Sequence, residues 1–195
     1  MKQYKQILLL TIISVIVLIF VRSTKNEVLM IESSLDRRDY LVNNFSDKQE
    51  AVDLLAQIRI NVLKLRKYLV KNKKKYNEYK LYIDLLNRRV DDVIIKEKTE
   101  NNNFTSYSIN KGEEIIFCLR SKKDNSLHDL NLMMYVALHE FAHVACPEVG
   151  HTPLFKKIFK FFLEIGIKLN IYEYVKYEHD VKEYCGIYIN QNILS

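Results

Sequence analysis

Three histidines and one glutamate in the second half of the chain have the residue types and spacing that metal-assisted chemistry needs. They sit in Leu138-His139-Glu140-Phe141-Ala142-His143, followed after a short break by Gly150-His151. On an α-helix, residues four apart lie one turn apart on one face, so His139 and His143 present two imidazoles to one point. Two nitrogen donors at that spacing suit Zn²⁺, which also needs a third protein ligand and an open position for water. Glu140 follows the first histidine, where its carboxylate reaches water at the metal and acts as general base. Such a pattern has three fixed positions and recurs by chance. The apolar helical run around it and the later histidine are what argue for a zinc site.

Three downstream residues compete for the third ligand. His151 comes after Pro147 and Gly150, which end the helix and turn the chain back toward the metal. Glu164 lies further on, where thermolysin-like enzymes carry a glutamate ligand, but at a position expected to be solvated. Glu148 is a loop acid, and loop acids are mostly exposed. Cys146 is close to His143 but reads as a small buried residue near a helix end. His151 is therefore the expected ligand.

The elements that must hold these residues are legible from periodicity. Leu130, Met133, Ala137 and Phe141 recur three and four apart, with Ser126 or Asp129 as a cap, and give a helix under the metal motif. Thr152-Pro153 reads as the cap and first turn of a second helix through Phe155, Ile158, Phe159, Phe162 and Ile165. Upstream, Ser46-Asp47-Lys48-Gln49 has the form of a capping box. Ala51, Leu55, Ile58, Val62, Leu65 and Leu69 follow it along one helical face. Val93–Ile95, Thr105–Ile109 and Glu114–Leu119 read as strands, with Asn110-Lys111-Gly112 as a hairpin turn. Tyr184–Ile189 reads as a final strand near the site. Tyr172, Tyr174, Tyr177 and Tyr184, around His179 and Asp180, are candidate donors to an oxyanion, with the choice among them open.

Hydrophobic content of 48% with only 4 Gly and 2 Pro excludes a disordered chain and favours a mostly helical one. Lys71-Asn72-Lys73-Lys74-Lys75 is the densest basic run, with Tyr76, Tyr79 and Tyr82 behind it. It reads as a solvated turn or a contact for anionic lipid, with phosphate and base stacking as the nucleic-acid alternative. Ile7 to Val21 is a run of 15 residues without a charge, between Lys2 and Lys5 on one side and Arg22 and Lys25 on the other. Flanking Lys and Arg side chains extend its reach toward a hydrocarbon core of roughly 30 Å. No small-x-small cleavage pattern follows, which favours an uncleaved anchor over a signal peptide. Cys118, Cys146 and Cys185 form no C-x-x-C pair and no disulfide framework, and so point to a reducing compartment.

With these residues assembled, a family likeness emerges. His139-Glu140-Phe141-Ala142-His143 with Gly150-His151-Thr152-Pro153-Leu154-Phe155 resembles the WLM and SprT-like zinc metallopeptidases. The likeness extends upstream through Asn110-Lys111-Gly112-Glu113, Cys118-Leu119-Arg120 and Tyr135-Val136-Ala137-Leu138. It implies a zincin-like α+β domain with His139, His143 and His151 as zinc ligands and Glu140 as catalytic base. The step from His143 to His151 is longer than in typical WLM domains and shorter than in many SprT-like ones.

The expected architecture is α+β. A transmembrane anchor and its flanks occupy residues 1–25, and a linker with one short helix occupies 26–45. A zincin-like domain with a small antiparallel sheet packed on helices fills 46–195. The expected function is that of a membrane-anchored, zinc-dependent peptidase acting on a protein or peptide substrate. Two alternatives stand beside it: a non-catalytic zinc-bound module tethering a partner or DNA to a membrane, and a DNA-dependent protease of the crosslink-repair type.

Overall fold

A computed structural model describes Tyr4 and residues 11–15, 28–99 and 105–195. The expected anchor, Ile7 to Val21, lies outside the described residues except for Thr11–Val15, which is helical. Among the described residues no helix is long and apolar enough to cross a membrane.

The stretch expected to be a linker with a short helix is instead a β-hairpin. β1 (Val28–Glu32) pairs antiparallel with β2 (Asp39–Asn43). Tyr40 and Val42 face the core while Asp39 is exposed, the period of two that a half-buried strand requires. Asp53 of the following helix ties the connecting turn by accepting from the hydroxyls of Ser33 and Ser34.

That helix, α1 (Lys48–Lys71), buries Ala51, Leu55, Ile58, Val62, Leu65 and Leu69 completely, as the periodicity requires. The capping box does not form. Asp47 occupies the N-cap without a side-chain cap bond, because its carboxylate is held by Arg120, 2.7 Å away. The basic run becomes the turn after α1, and a short 3₁₀ segment (Asn77–Tyr79) leads into α2 (Lys80–Arg89). Tyr79 stacks on Phe161 with centroids 3.8 Å apart, and the Tyr76 ring meets the same Phe161 edge-on. Both rings are thus engaged within the fold.

The central sheet holds β3 (Ile94–Glu97), β4 (Tyr107–Ile109) and β5 (Glu114–Phe117) in the order β3-β5-β4. It is mixed rather than antiparallel. β4 and β5 form the expected hairpin, but β3 joins the other side of β5 and runs parallel to it. The hydrophobic pattern of a four-residue strand says that a face is buried and says nothing about partner or direction. The hairpin turn places Asn110, Lys111 and Gly112 all at positive φ, with Gly112 at 105°. A Cβ there would stand 2.7 Å from Val144 Cγ2, a stiff β-branched side chain on the next helix. Gly112→Ala combines backbone strain with overpacking and is expected to cost about 2–5 kcal/mol, read as a drop in the chemical denaturation midpoint.

α3 (Leu130–Ala145) and α4 (Pro153–Lys168) complete the helical layer, with α3 packed against α1, α2 and α4. The expected final strand is a third hairpin, β6 (Lys182–Tyr184) and β7 (Ile187–Ile189). Cys185 and Gly186 turn it, at φ 52° and 85°, the positive pair that a two-residue hairpin loop needs. The expectation that the cysteines stay unpaired is also corrected. Cys185 at that turn forms a disulfide with Cys118, just beyond β5, across 67 residues of sequence. No local Cys spacing signals a bond made by tertiary folding, and the bond removes the ground for inferring a reducing compartment. Cys146 is buried and free, as its apolar reading requires.

Candidate metal centre

Each histidine is placed by its own local device. Asp129 caps α3 by accepting from the Leu132 amide at 2.9 Å, so Asp129 rather than Ser126 starts the helix. His139 and His143 follow one turn apart on it. α3 ends at Cys146, whose amide bonds the Ala142 carbonyl, and Pro147 prevents continuation. Arg89 donates to the Val144 carbonyl at 2.6 Å, and Lys111 donates to the Pro147 carbonyl, so the end of α3 and the chain leaving it are pinned. Gly150 takes φ 83°, and Thr152 then caps α4 with Pro153 in its first turn. His151 sits on the short bridge between the two helices.

The result brings all three imidazoles together. Their donor nitrogens lie within 4.8 Å of one another. His151 Nε2 is 3.0 Å from His139 Nε2 and 3.3 Å from His143 Nε2. Tetrahedral zinc with Zn–N bonds of about 2.0–2.1 Å spaces its nitrogens by roughly 3.3 Å. The group fits a metal ion of that size, and among the described residues it is the one cluster of this kind. Glu164, which is exposed, and Cys146, which is buried, both lie outside the group.

The protonation states match. Burial, reinforced by His143 and His151, holds the His139 imidazole down to about 3, and burial with His151 holds His143 to about 4. Both rings therefore offer lone pairs at neutral pH, the form a metal needs. Phe155 supports the cluster from below. Its ring stacks on His143 at 4.0 Å and meets His139 and His151 edge-on at 4.9 and 5.0 Å. Sequence reading found Phe155 as a core position of α4 but not as the floor of the metal cluster. The signal available was its position four residues after His151.

Glu140 is 6% exposed, and burial raises its carboxyl to about 7. It lines two spaces. One is a cleft of about 550 Å³ that also touches His143, His151, Glu148 and the β4 residues Tyr107 and Ser108. The other is a smaller cavity behind His139, walled by Tyr135, Val136, Tyr184, Ile187 and Ile189. Of the four tyrosines considered as donors, Tyr172 and Tyr177 pack with Tyr135, and Tyr174 is exposed. Tyr184 enters the smaller cavity, with its hydroxyl bonded to Ser106 Oγ, which in turn accepts from the Cys118 amide.

No family model matches the chain, and no solved structure does. It is similar to "Uncharacterized protein R325" of Acanthamoeba polyphaga mimivirus, 44% identical over 196 residues and covering 100% of both chains. It is also similar to "Uncharacterized protein 136R" of Invertebrate iridescent virus 6, 43% identical over 82 residues, 41% of this chain and 44% of that protein. "Uncharacterized protein 042R" of Invertebrate iridescent virus 3 is 38% identical over 82 residues, 42% of this chain and 50% of that protein. An alignment that runs end to end at 44% identity is decisive, and the chain belongs to the family of the mimivirus protein R325.

Proposed function

We propose that the protein is a zinc-dependent peptidase in which His139, His143 and His151 hold the metal and Glu140 is the base. The observation that carries this reading is the convergence of three imidazoles with one buried carboxylate that lines the cleft. Bound at the three nitrogens, zinc supplies a Lewis acid that activates water for attack on a carbonyl. Glu140 takes the proton from that water on a carboxylate oxygen and delivers it to the departing amine nitrogen. β4 stands at the end of the three-strand sheet and lines the cleft, where an extended peptide lies alongside it. The likeness of the motif to WLM and SprT-like metallopeptidases supports the same chemistry. A purely structural zinc site closes on four ligands, and the three-histidine group leaves one position open. The uncharged run from Ile7 to Val21 supports attachment of this peptidase to a membrane.

The test is metal content of the purified full chain beside His151→Ala and Glu164→Ala variants. The parent and Glu164→Ala are expected to hold about one zinc per chain, and His151→Ala to lose it. A folded parent without zinc would sink the reading and leave a membrane-tethered binding module as the better account.

A further inference from the structure

The cavity behind His139 and Glu140 is built by α3, by the β6–β7 hairpin and by Thr105 and Ser106 ahead of β4. Its floor is α3, through Val136, His139 and Glu140; its far wall is the β6–β7 hairpin, through Tyr184, Ile187 and Ile189. Glu140 and Ser106 line both this cavity and the cleft, so the two spaces meet at the carboxylate. The volume is about 190 Å³. An apolar cavity of about 150 Å³ admits a benzene ring, so this one takes a branched aliphatic or phenyl side chain.

The hairpin meets the body through several side chains: the Tyr184 ring packs on His128 with centroids 5.2 Å apart, and Lys123 covers the Tyr188 ring at 5.4 Å. Tyr184 bonds Ser106, Glu183 accepts from the Lys122 amide at 3.4 Å, and Cys185 at the turn is joined to Cys118. The last is covalent, and Cys118 directly follows the strand next to β4. Ile187 is half exposed, so its packing does not anchor the wall.

We propose that the β6–β7 hairpin forms a specificity pocket for one apolar substrate side chain beside the cut bond, and that the Cys118–Cys185 disulfide keeps this wall closed. The proposal rests on the peptidase reading for the word "substrate", but the pocket itself is open to test without turnover.

The disulfide has a route to reduction. A second small cavity is lined by Cys118, Lys98 and Lys122 and shares no lining residue with the cleft or with the cavity behind His139. Lys98 is buried, and its ammonium lies 3.5 Å from Cys185 Sγ. A thiolate of an external dithiol attacks Cys118 Sγ, and the S–S electron pair leaves on Cys185 Sγ, beside that ammonium. The dithiol's second thiol, as thiolate, then displaces Cys118. The protein gains two electrons and two protons as two thiols, and the dithiol becomes a cyclic disulfide.

The experiment measures binding of two zinc-chelating succinyl hydroxamates to the zinc-loaded full chain by calorimetry. One carries an isobutyl group beside the chelating head and the other hydrogen. The oxidised protein is expected to bind the isobutyl compound on the order of 30-fold more tightly, from burial of most of a four-carbon group. Dithiothreitol, or the paired replacement Cys118→Ser with Cys185→Ser, is expected to bring the two affinities together and leave the hydrogen compound unchanged. Ile187→Trp retains the disulfide at a surface position that tolerates substitution, and is expected to fill the pocket and abolish the preference. Equal affinity in the oxidised parent, or none, overturns the proposal; a preference that survives reduction overturns the role of the disulfide. A strong preference in a chain that hydrolyses no peptide upholds the pocket and sinks the peptidase reading.

Discussion

Glu140→Gln is expected to lower peptide hydrolysis by on the order of 10²–10⁴, the usual weight of a positioned general base, while zinc content and melting temperature stay at parental values. The substitution keeps the shape of the side chain and removes its ability to take a proton. Glu140 is not one of the three converging nitrogens, so the metal keeps its protein donors. The carboxylate is buried in the helix that also carries His139 and His143, which fixes it against the cleft without a loop to move. The other acid in the cleft, Glu148, is exposed on the turn after α3 and has no comparable placement. Hydrolysis of internally quenched peptides beside metal analysis of the same samples checks the claim. Parental turnover in the variant would remove Glu140 from the chemistry, while a drop accompanied by lost zinc would make it a structural residue.

The largest stability effect is expected away from the metal. Glu97→Ala is expected to cost about 3–5 kcal/mol, because it leaves a buried guanidinium without its innermost partner. The Glu97 side chain is 1% exposed and that of Arg120 is 8% exposed. Glu97 accepts from Arg120 Nε at 2.8 Å and from the Asn43 amide at 2.7 Å, so one carboxylate ties β3, β2 and the chain after β5. Arg120 continues the network to Asp47 at the start of α1 and to the Asn125 carbonyl, and its guanidinium covers the Phe45 ring at 4.4 Å. Truncation removes two hydrogen bonds and strands a charge, whereas the area lost is small, so electrostatics decides the outcome. For a chain of this size the loss corresponds to a fall of about 6–20 °C in melting temperature, read by calorimetry. A shift of a degree or two would mean that Asp47 alone neutralises Arg120.

Legibility in the sequence followed the range of the interactions. α1, α3 and α4 were readable because Leu55, Met133 or Phe159 each announce a buried face within one turn of their neighbours. The three-histidine group was readable for the same reason, since His139 to His151 spans only two helix ends and the bridge between them. The β1–β2 hairpin was not. Its strands are five residues each, and the charged residues between Glu32 and Asp39 look like a linker until the Asp53 side chain is seen holding the turn. The capping box at Ser46-Asp47 misled because a local rule competes with a distant arginine, and the buried guanidinium wins. Neither the parallel pairing of β3 with β5 nor the contact of Tyr184 with Ser106 has a local signature, the latter joining residues 78 apart.

The disulfide-closed wall also imposes an order on how the molecule comes into being. In a chain made from its N-terminus, His151 emerges 34 positions before Cys185. All three histidines, and the helix α3 that carries two of them, are thus synthesised before the residue that seals the pocket. Domains begin to organise during synthesis at about 5–20 residues per second, so a gap of seconds separates the two events. The histidine cluster is complete in sequence before the disulfide can form, and oxidation comes last.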